Sequence, residues 1–472
     1  MEMNIYKNLV NNSLVFALGN LGTKLIVFFL VPLYTYYLTT SEFGMVDLLT
    51  TTVSLLMPIF TLSIFDSVLR FVMDKSYDRQ IVLINALIII FIGFILLLLL
   101  SPVLIKYLPF SDYILYFYIL LLVQSIFTTL SQYIRAKGMV KLFASSGIIN
   151  AFILLISNIF LLVLFNKGIL GYLMSLIIAN VISILFVVIF GKVKKDINLK
   201  KINFKLMKEM LQYSIPLMPN ALMWWIMSFS DRYILTFLIG LSANGLYAVA
   251  SKIPSILNIV NSIFFQAWQM SAIEEAKSED KSKFYSNVFN VFSLTMLVFT
   301  SLLLIHLKFI MGFLVADTYF ASWKYVPFLL LGVVFSSFSG FLGTNYIAAK
   351  KTSGVFKTSF IGAIINIAAN IMLIPIIGIN GAAIGTMISF AVIWILRIID
   401  TKQFVSIKMN VRKLLLALII IFIQIGVLYQ SFKFEYLIQI SLFLILILVN
   451  YNEFRIVLKK MIGIIRNKNK VI

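Results

Sequence analysis

Cysteine is absent from this 472-residue chain, and histidine occurs once, as His306. Without thiols there is no disulfide, no zinc–thiolate centre and no cysteine nucleophile. A single histidine with no neighbouring acid makes a poor proton relay. Charge is also scarce: 12% of residues are Asp, Glu, Lys or Arg, against about 25% in soluble domains. No stretch is long and polar enough to form a separate soluble domain or a large external domain for glycosyl transfer. The phosphate-binding pattern G-x-x-x-x-G-K-[ST], the zincin H-E-x-x-H and the hydrolase G-x-S-x-G do not occur, so no enzyme, cofactor or metal site is expected.

What the chain has instead is hydrocarbon. Hydrophobic residues make up 61% of it, mean hydropathy is +1.03, and runs of about 20 apolar residues recur from end to end. Fourteen such runs can be drawn, among them 14–38, 45–68, 215–239, 245–270, 381–399 and 435–452. The expected fold is an all-α polytopic membrane protein with 14 transmembrane helices. The first run is too long for the core of a signal peptide and carries Lys24 in its middle, so it reads as a retained span.

Net charge is +21, but its distribution argues against nucleic acid. With the N-terminus inside, 31 of the 39 Lys and Arg fall on the cytoplasmic side, counting Arg397 among them. That is the positive-inside pattern, and it puts both termini in the cytoplasm. The excess also suits anionic membrane lipids.

Two halves are visible. Ser41-Glu-Phe-Gly44 corresponds to Ser242-Ala-Asn-Gly245, an offset of 201 residues, and Leu170-Gly171-Tyr-Leu-Met-Ser175 to Ile384-Gly385-Thr-Met-Ile-Ser389. Six spans separate the copies, so they enter the membrane from the same side, as parallel repeats do. The expected domains are a six-helix bundle over 1–191, a basic cytoplasmic linker over 192–214 and a second six-helix bundle over 215–400. Two accessory helices and a basic tail would follow over 401–472.

Three cations interrupt these runs: Lys24, Arg232 and Lys252. A charge near the bilayer centre costs roughly 2.5–3.5 kcal/mol on insertion scales, so it tends to face a bundle interior or a water-filled cavity. Three on separate helices suit an anionic solute. Asp231 precedes Arg232, with Ser228 on the same face, and is either its counter-charge or a coupling acid. Asn20 lies one turn before Lys24. Ser255, Asn258, Ser262, Gln266 and Gln269 follow helical spacing after Lys252, with Pro254 placed to kink the helix. Asn366 and Asn370 repeat the polar theme without charge. Asp66 and Arg70 are spaced for an i,i+4 ion pair at the cytoplasmic end of the second run.

The segment from Tyr213-Ser-Ile-Pro-Leu-Met-Pro-Asn220 through Trp224-Trp225 and Ser230-Asp-Arg232 to Ala243-Asn-Gly-Leu-Tyr-Ala-Val-Ala250 resembles the Wzx-type polysaccharide repeat-unit flippases of the multidrug and oligosaccharidyl-lipid exporter superfamily. Asp66-Ser-Val-Leu-Arg70 resembles the end of that family's second helix, and Lys24 stands where these flippases tend to carry a basic residue. The resemblance implies undecaprenyl-pyrophosphate-linked oligosaccharides as substrates, moved between leaflets of the bacterial cytoplasmic membrane by alternating access for capsule, O-antigen or exopolysaccharide. It makes a polysaccharide polymerase a candidate partner. Lys24, Arg232 and Lys252 would hold the pyrophosphate, while Ser255, Asn258, Asn366 and Asn370 would meet sugar hydroxyls. A multidrug or cation antiporter, or a lipid II flippase, would share the fold.

Overall fold

The computed structural model describes residues 2–198, 201–275, 280–349, 353–430 and 433–451. All regular structure among them is helical. Eleven helices are long and apolar enough to cross a membrane, which makes this a multi-pass membrane protein. Helices Glu2–Tyr37, Met218–Leu238 and Glu435–Val449 stand at the other three expected positions. The chain divides into two compact units, 1–248 and 249–472.

Unit 1 holds α1 (Glu2–Tyr37), α2 (Thr40–Phe60), α3 (Ile64–Met73), α4 (Arg79–Leu99), α5 (Ser101–Tyr107) and α6 (Ile114–Ala136). It continues with α7 (Val140–Asn158), α8 (Gly168–Phe190), α9 (Phe204–Ser214), α10 (Met218–Leu238) and most of α11 (Leu241–Ala250). Thr39 starts α2 with a reciprocal capping box: its side chain accepts from the Glu42 backbone, and Glu42 accepts from the Thr39 backbone. The apolar run 45–68 does not continue as one helix. Leu62 and Ser63 both adopt φ of 52°, a conformation costing a non-glycine residue about 1–2 kcal/mol. The break lets α3 bury Ile64 and Val68 completely, and burial of each aliphatic side chain returns about 1.5–3 kcal/mol.

The linker is docked against unit 1. Lys137 meets Asp196 at 2.7 Å and the Tyr133 hydroxyl donates to the same carboxylate at 2.8 Å. Lys201 pairs with Asp78 at 2.8 Å. Asn85 of α4 donates to the Asn203 carbonyl at 3.0 Å and accepts from its amide at 3.3 Å. Asn203 in turn caps α9, accepting from the Leu206 amide at 3.0 Å. α9 buries Leu206 and Met210 and leaves Phe204 exposed beside Lys205, as a short helix at a membrane interface would.

Unit 2 holds α12 (Lys252–Glu274), α13 (Lys281–Leu314), α14 (Val326–Ala348), α15 (Ser353–Ile377), α16 (Ile379–Thr401), α17 (Val411–Gln430) and α18 (Glu435–Val449). Pro254 cannot donate to the Ala250 carbonyl, and the chain breaks at Ser251 between α11 and α12. An aromatic stack fills the core: Phe264 lies on Phe292 with centroids 4.0 Å apart, and Trp268 on Phe341 at 4.2 Å. Gly171 and Gly385, the paired glycines of the second sequence repeat, play similar parts. An added Cβ at Gly171 would approach the Leu161 carbonyl to 3.0 Å, and one at Gly385 would meet the Asn370 side chain at 2.6 Å.

Burial pushes the Asp196 carboxyl up, but its bonds from Lys137 and Tyr133 outweigh that and hold it below its ordinary value. A depressed native pKa gives stability that is present above the unfolded value, about 3.9, and lost as pH falls through the native one. Linker docking is therefore expected to stay constant from about pH 8 to about pH 5 and to fail only in stronger acid. At neutral pH, Asp196→Ala should release the linker, at about 1–3 kcal/mol. Trypsin cleavage at exposed Lys192, Lys194 and Lys195 should then rise at least about fivefold. Unchanged cleavage would show that the carboxylate does not hold the linker.

Candidate functional site

Within unit 1 the helices α2, α10 and α11 are joined by polar contacts in otherwise apolar surroundings. Arg232 of α10 is 7% exposed, and its guanidinium makes an ion pair with Asp47 of α2. The same carboxylate accepts from Asn244 of α11 at 3.4 Å. Asp231 is buried, accepts from the Tyr247 hydroxyl and adds a second negative charge beside the guanidinium. The cation also lies over the rings of Phe229 and Tyr247, at 5.3 and 5.8 Å. Further along the same two helices, Trp225 donates to the Thr51 carbonyl at 3.0 Å and to the Ser54 hydroxyl at 3.1 Å. The hydroxyls of Thr52 and Tyr233 share a hydrogen bond.

At the far end of this joint the two copies of the glycine motif touch. A Cβ on Gly44 would collide with the Leu241 carbonyl, and one on Gly245 with the Thr40 carbonyl. Positions 40 and 241, like 44 and 245, differ by 201 residues, the offset of the repeat. The contact is thus reciprocal, as across a local twofold axis. Thr40 and Ser242 hydroxyls lie 2.7 Å apart, and Asn244 donates to the Gly44 carbonyl at 2.8 Å. Glycine is required because the backbones meet without room for a side chain.

Arg232 is therefore not an open cation. Its charge is matched by Asp47, a residue that sequence reasoning missed, although an acid seven residues into an apolar helix is the same anomaly as the cations. Lys24 lies exposed on α1 and has no hydrogen-bond or ion-pair partner among the described residues. The side chains of Asn20, Gln266 and Gln269 lie outside the described residues. Ser228 is half-buried in unit 1. Lys252, Ser255 and Ser262 are half-buried and Asn258 is exposed on α12, in unit 2. Asn366 and Asn370 have no exposed surface. Asn370 donates to Asn366 at 3.0 Å and Asn366 to Ser389 at 3.3 Å, so the pair fastens α15 to α16 and does not line an open surface. Arg70 does not pair with Asp66. It reaches forward to Asp74 at 3.9 Å, because the break at residues 61–63 leaves Asp66 partly buried in the first turn of α3.

Unit 2 contains a cation that the topology count had placed outside the membrane. Arg397 of α16 is 2% exposed and donates to the Thr358 hydroxyl at 3.0 Å, the Ser339 carbonyl at 2.9 Å and the Ser359 hydroxyl at 3.2 Å. Its partners are neutral oxygens from α14 and α15. Gly343 leaves room for the guanidinium: an added Cβ there would come within 2.8 Å of Nη1.

The fold is one shared with solved membrane transporters. The fold matches that of the lipid II flippase MurJ in an inward closed conformation, with TM-score 0.70 and 15% identity over 96% of this chain and all of that one. It also matches an inward-facing multidrug-resistance MATE transporter, with TM-score 0.68 and 13% identity over 82% of this chain and 93% of the other. The chain belongs to the polysaccharide biosynthesis protein family, which matches residues 9–269, more than half of its length. It is 26% identical, over 51% of its own length and 52% of the relative's, to a probable low-salt glycan biosynthesis flippase of Haloferax volcanii. It is 28% identical, over 46% of its length and 45% of the relative's, to an uncharacterized membrane protein of Methanocaldococcus jannaschii. The chain thus spans about half the length of the curated relatives it matches, and both are archaeal.

Two measurements test the joint. Arg232→Ala strands a buried carboxylate and should cost about 3–5 kcal/mol in a melt of the detergent-solubilised protein, whereas Asp47→Leu with Arg232→Leu should cost markedly less. Equal losses would mean that the pair is not what holds the helices. In this cysteine-free chain, Thr40→Cys with Ser242→Cys should cross-link almost completely under mild oxidation, given the spacing of the two side chains. Failure to cross-link would place the two motifs apart.

Proposed function

We propose that this protein is a flippase for polyprenyl-pyrophosphate-linked oligosaccharides, with undecaprenyl as the carrier lipid, serving surface-polysaccharide assembly in a cytoplasmic membrane. The observation that carries the reading is Lys24, an exposed cation on an apolar helix with no ion-pair partner among the described residues. A charge in that position is stabilised by an anion brought from outside. A lipid pyrophosphate supplies one and can travel along the bilayer. Lys252, half-buried at the start of α12, is a second candidate pyrophosphate ligand, with Ser255, Asn258 and Ser262 on its own helix for sugar hydroxyls.

The joint of α2 with α10 and α11 fits the closed half of an alternating-access cycle. By the basic-loop rule, the start of α2 and the end of α10 face the outside, so parting this joint would open the outer route. Arg232 would then exchange Asp47 for the pyrophosphate, and Asp231 would be the acid best placed to carry a coupling proton.

The test uses a strain that accumulates lipid-linked repeat units for want of its own flippase. Wild type should restore surface polymer, and Lys24→Ala and Lys252→Ala at equal expression should each lower it at least about tenfold, or about 1.4 kcal/mol of lost anion binding. Full restoration by both variants would rule out the cationic site. Drug export without polymer would favour an antiporter, and rescue of lipid II transport alone would name a different headgroup.

A further inference from the structure

Between α1, α6 and α7, inside unit 1, lies a recess of about 240 Å³ that the cationic site does not use. Its walls carry the hydroxyls of Thr23, Thr128, Ser131 and Ser146 and the amide of Gln132. The rings of Phe127 and Phe143 complete it. The space exists because small residues pack there. A Cβ on Gly147 would stand 3.2 Å from the Thr23 hydroxyl, and one on Gly19 would stand 2.8 Å from the Ala144 side chain.

The polar groups are not used up by the fold. Ser131 is 8% exposed, and its buried hydroxyl has no hydrogen-bond partner among the described residues. A buried hydroxyl left unbonded costs about 1–3 kcal/mol, so whatever fills the recess must offer it a hydrogen bond. Thr23 and Ser146 donate to the carbonyls of Gly19 and Phe143, at 2.9 and 2.8 Å, which leaves their oxygens as acceptors. Gln132 accepts from Arg135 at 3.5 Å, which leaves its amide N–H groups as donors. Arg135 also lies over Phe143 at 5.6 Å, so a guanidinium stands beside the recess.

Shape and chemistry narrow the occupant. A water takes about 30 Å³ of liquid, so the recess holds about eight waters or one six-membered ring with its substituents. A lipid tail would strand five polar groups in hydrocarbon, at a cost of about 1–3 kcal/mol for each one left unbonded. A pyranose presents hydroxyls around its edge, for the Ser, Thr and Gln side chains, and a C–H face for the phenyl rings. Ser131 lies five residues before the end of α6, about 8 Å along the helix axis, at the end whose connection carries Arg135, Lys137 and Lys141. The basic-loop rule makes that the cytoplasmic side, where a lipid-linked sugar is made. Thr23 directly precedes Lys24, so a sugar in the recess would sit on the same helix as the proposed pyrophosphate ligand.

Resting on the flippase reading above, we propose that the α1/α6/α7 recess is a monosaccharide subsite that takes one pyranose of the oligosaccharide. Full-length protein in nanodiscs would be probed by saturation-transfer NMR with glucose, galactose, N-acetylglucosamine and N-acetylgalactosamine, each alone. At least one should receive transfer on its ring protons, and Ser131→Phe, which fills the recess, should weaken that signal at least about fivefold. Gln132→Ala, which removes the amide without adding bulk, should weaken it as well and guards against misfolding of the bulkier variant. In the flippase-deficient strain, both variants should reduce surface polymer. Wild-type polymer with both variants, or sugar signals insensitive to both, would overturn the subsite and leave the flippase reading standing. Failure of wild type to make polymer would remove the flippase reading itself.

Discussion

The ion pair of Arg232 with Asp47 governs the packing of unit 1, because neither charge can be buried without the other. Removing an ion from water costs several kcal/mol even after relaxation, and α2 brings Asp47 while α10 brings both Asp231 and Arg232. Bringing them together fixes the register of two helices nearly 200 residues apart in sequence. Asn244 and Tyr247 of α11 then donate to Asp47 and Asp231, which ties a third helix to the same point. The glycine contact depends on this register. A slip of one residue would put side chains where the Gly44 and Gly245 backbones now meet.

Unit 2 handles a buried arginine differently. Arg397 bonds to two hydroxyls and a carbonyl from neighbouring helices, and these dipoles solvate the ion without cancelling its charge. Neutral acceptors on two helices make a clamp that has no reason to exchange partners, since no carboxylate is released when it opens. Arg232 has a carboxylate partner that a competing anion could replace. The difference assigns Arg397 to holding α14, α15 and α16 together and leaves Arg232 as the arginine suited to a changing joint.

The sequence made the membrane class, the run of helices and the two-fold internal repeat legible, because apolar length and a repeated glycine motif are local properties. What it hid was pairing. Arg232 looks open in sequence because its partner, Asp47, lies on another helix 185 residues away. Asn366 and Asn370 show a polar stripe, but spacing gives a face and not what the face meets; here it meets Ser389. Arg397, four residues from the end of α16, passes for a loop cation because linear position near a helix end does not reveal burial. The break after Phe60 carries no glycine, so only the tertiary gain from burying Ile64 and Val68 accounts for it.

On the flippase reading, a joint that both seals and parts needs strength without interlocking, and these contacts have that character. Where Gly44 meets Gly245 the backbones touch directly, without room for a side chain on either glycine. Hydrogen bonds such as Thr40 to Ser242 can be taken over by water at little net loss. The buried charge pair holds more strongly, since its rupture by loss of one partner costs about 3–5 kcal/mol. A ligand shifts a two-state equilibrium only through its different affinities for the two states, and reversing a 1:99 ratio takes about 5.5 kcal/mol. On the flippase reading, a pyrophosphate that binds Arg232 only when Asp47 has let go supplies a difference of that order. The same arginine would then both keep the joint shut in the absence of substrate and couple its opening to substrate arrival.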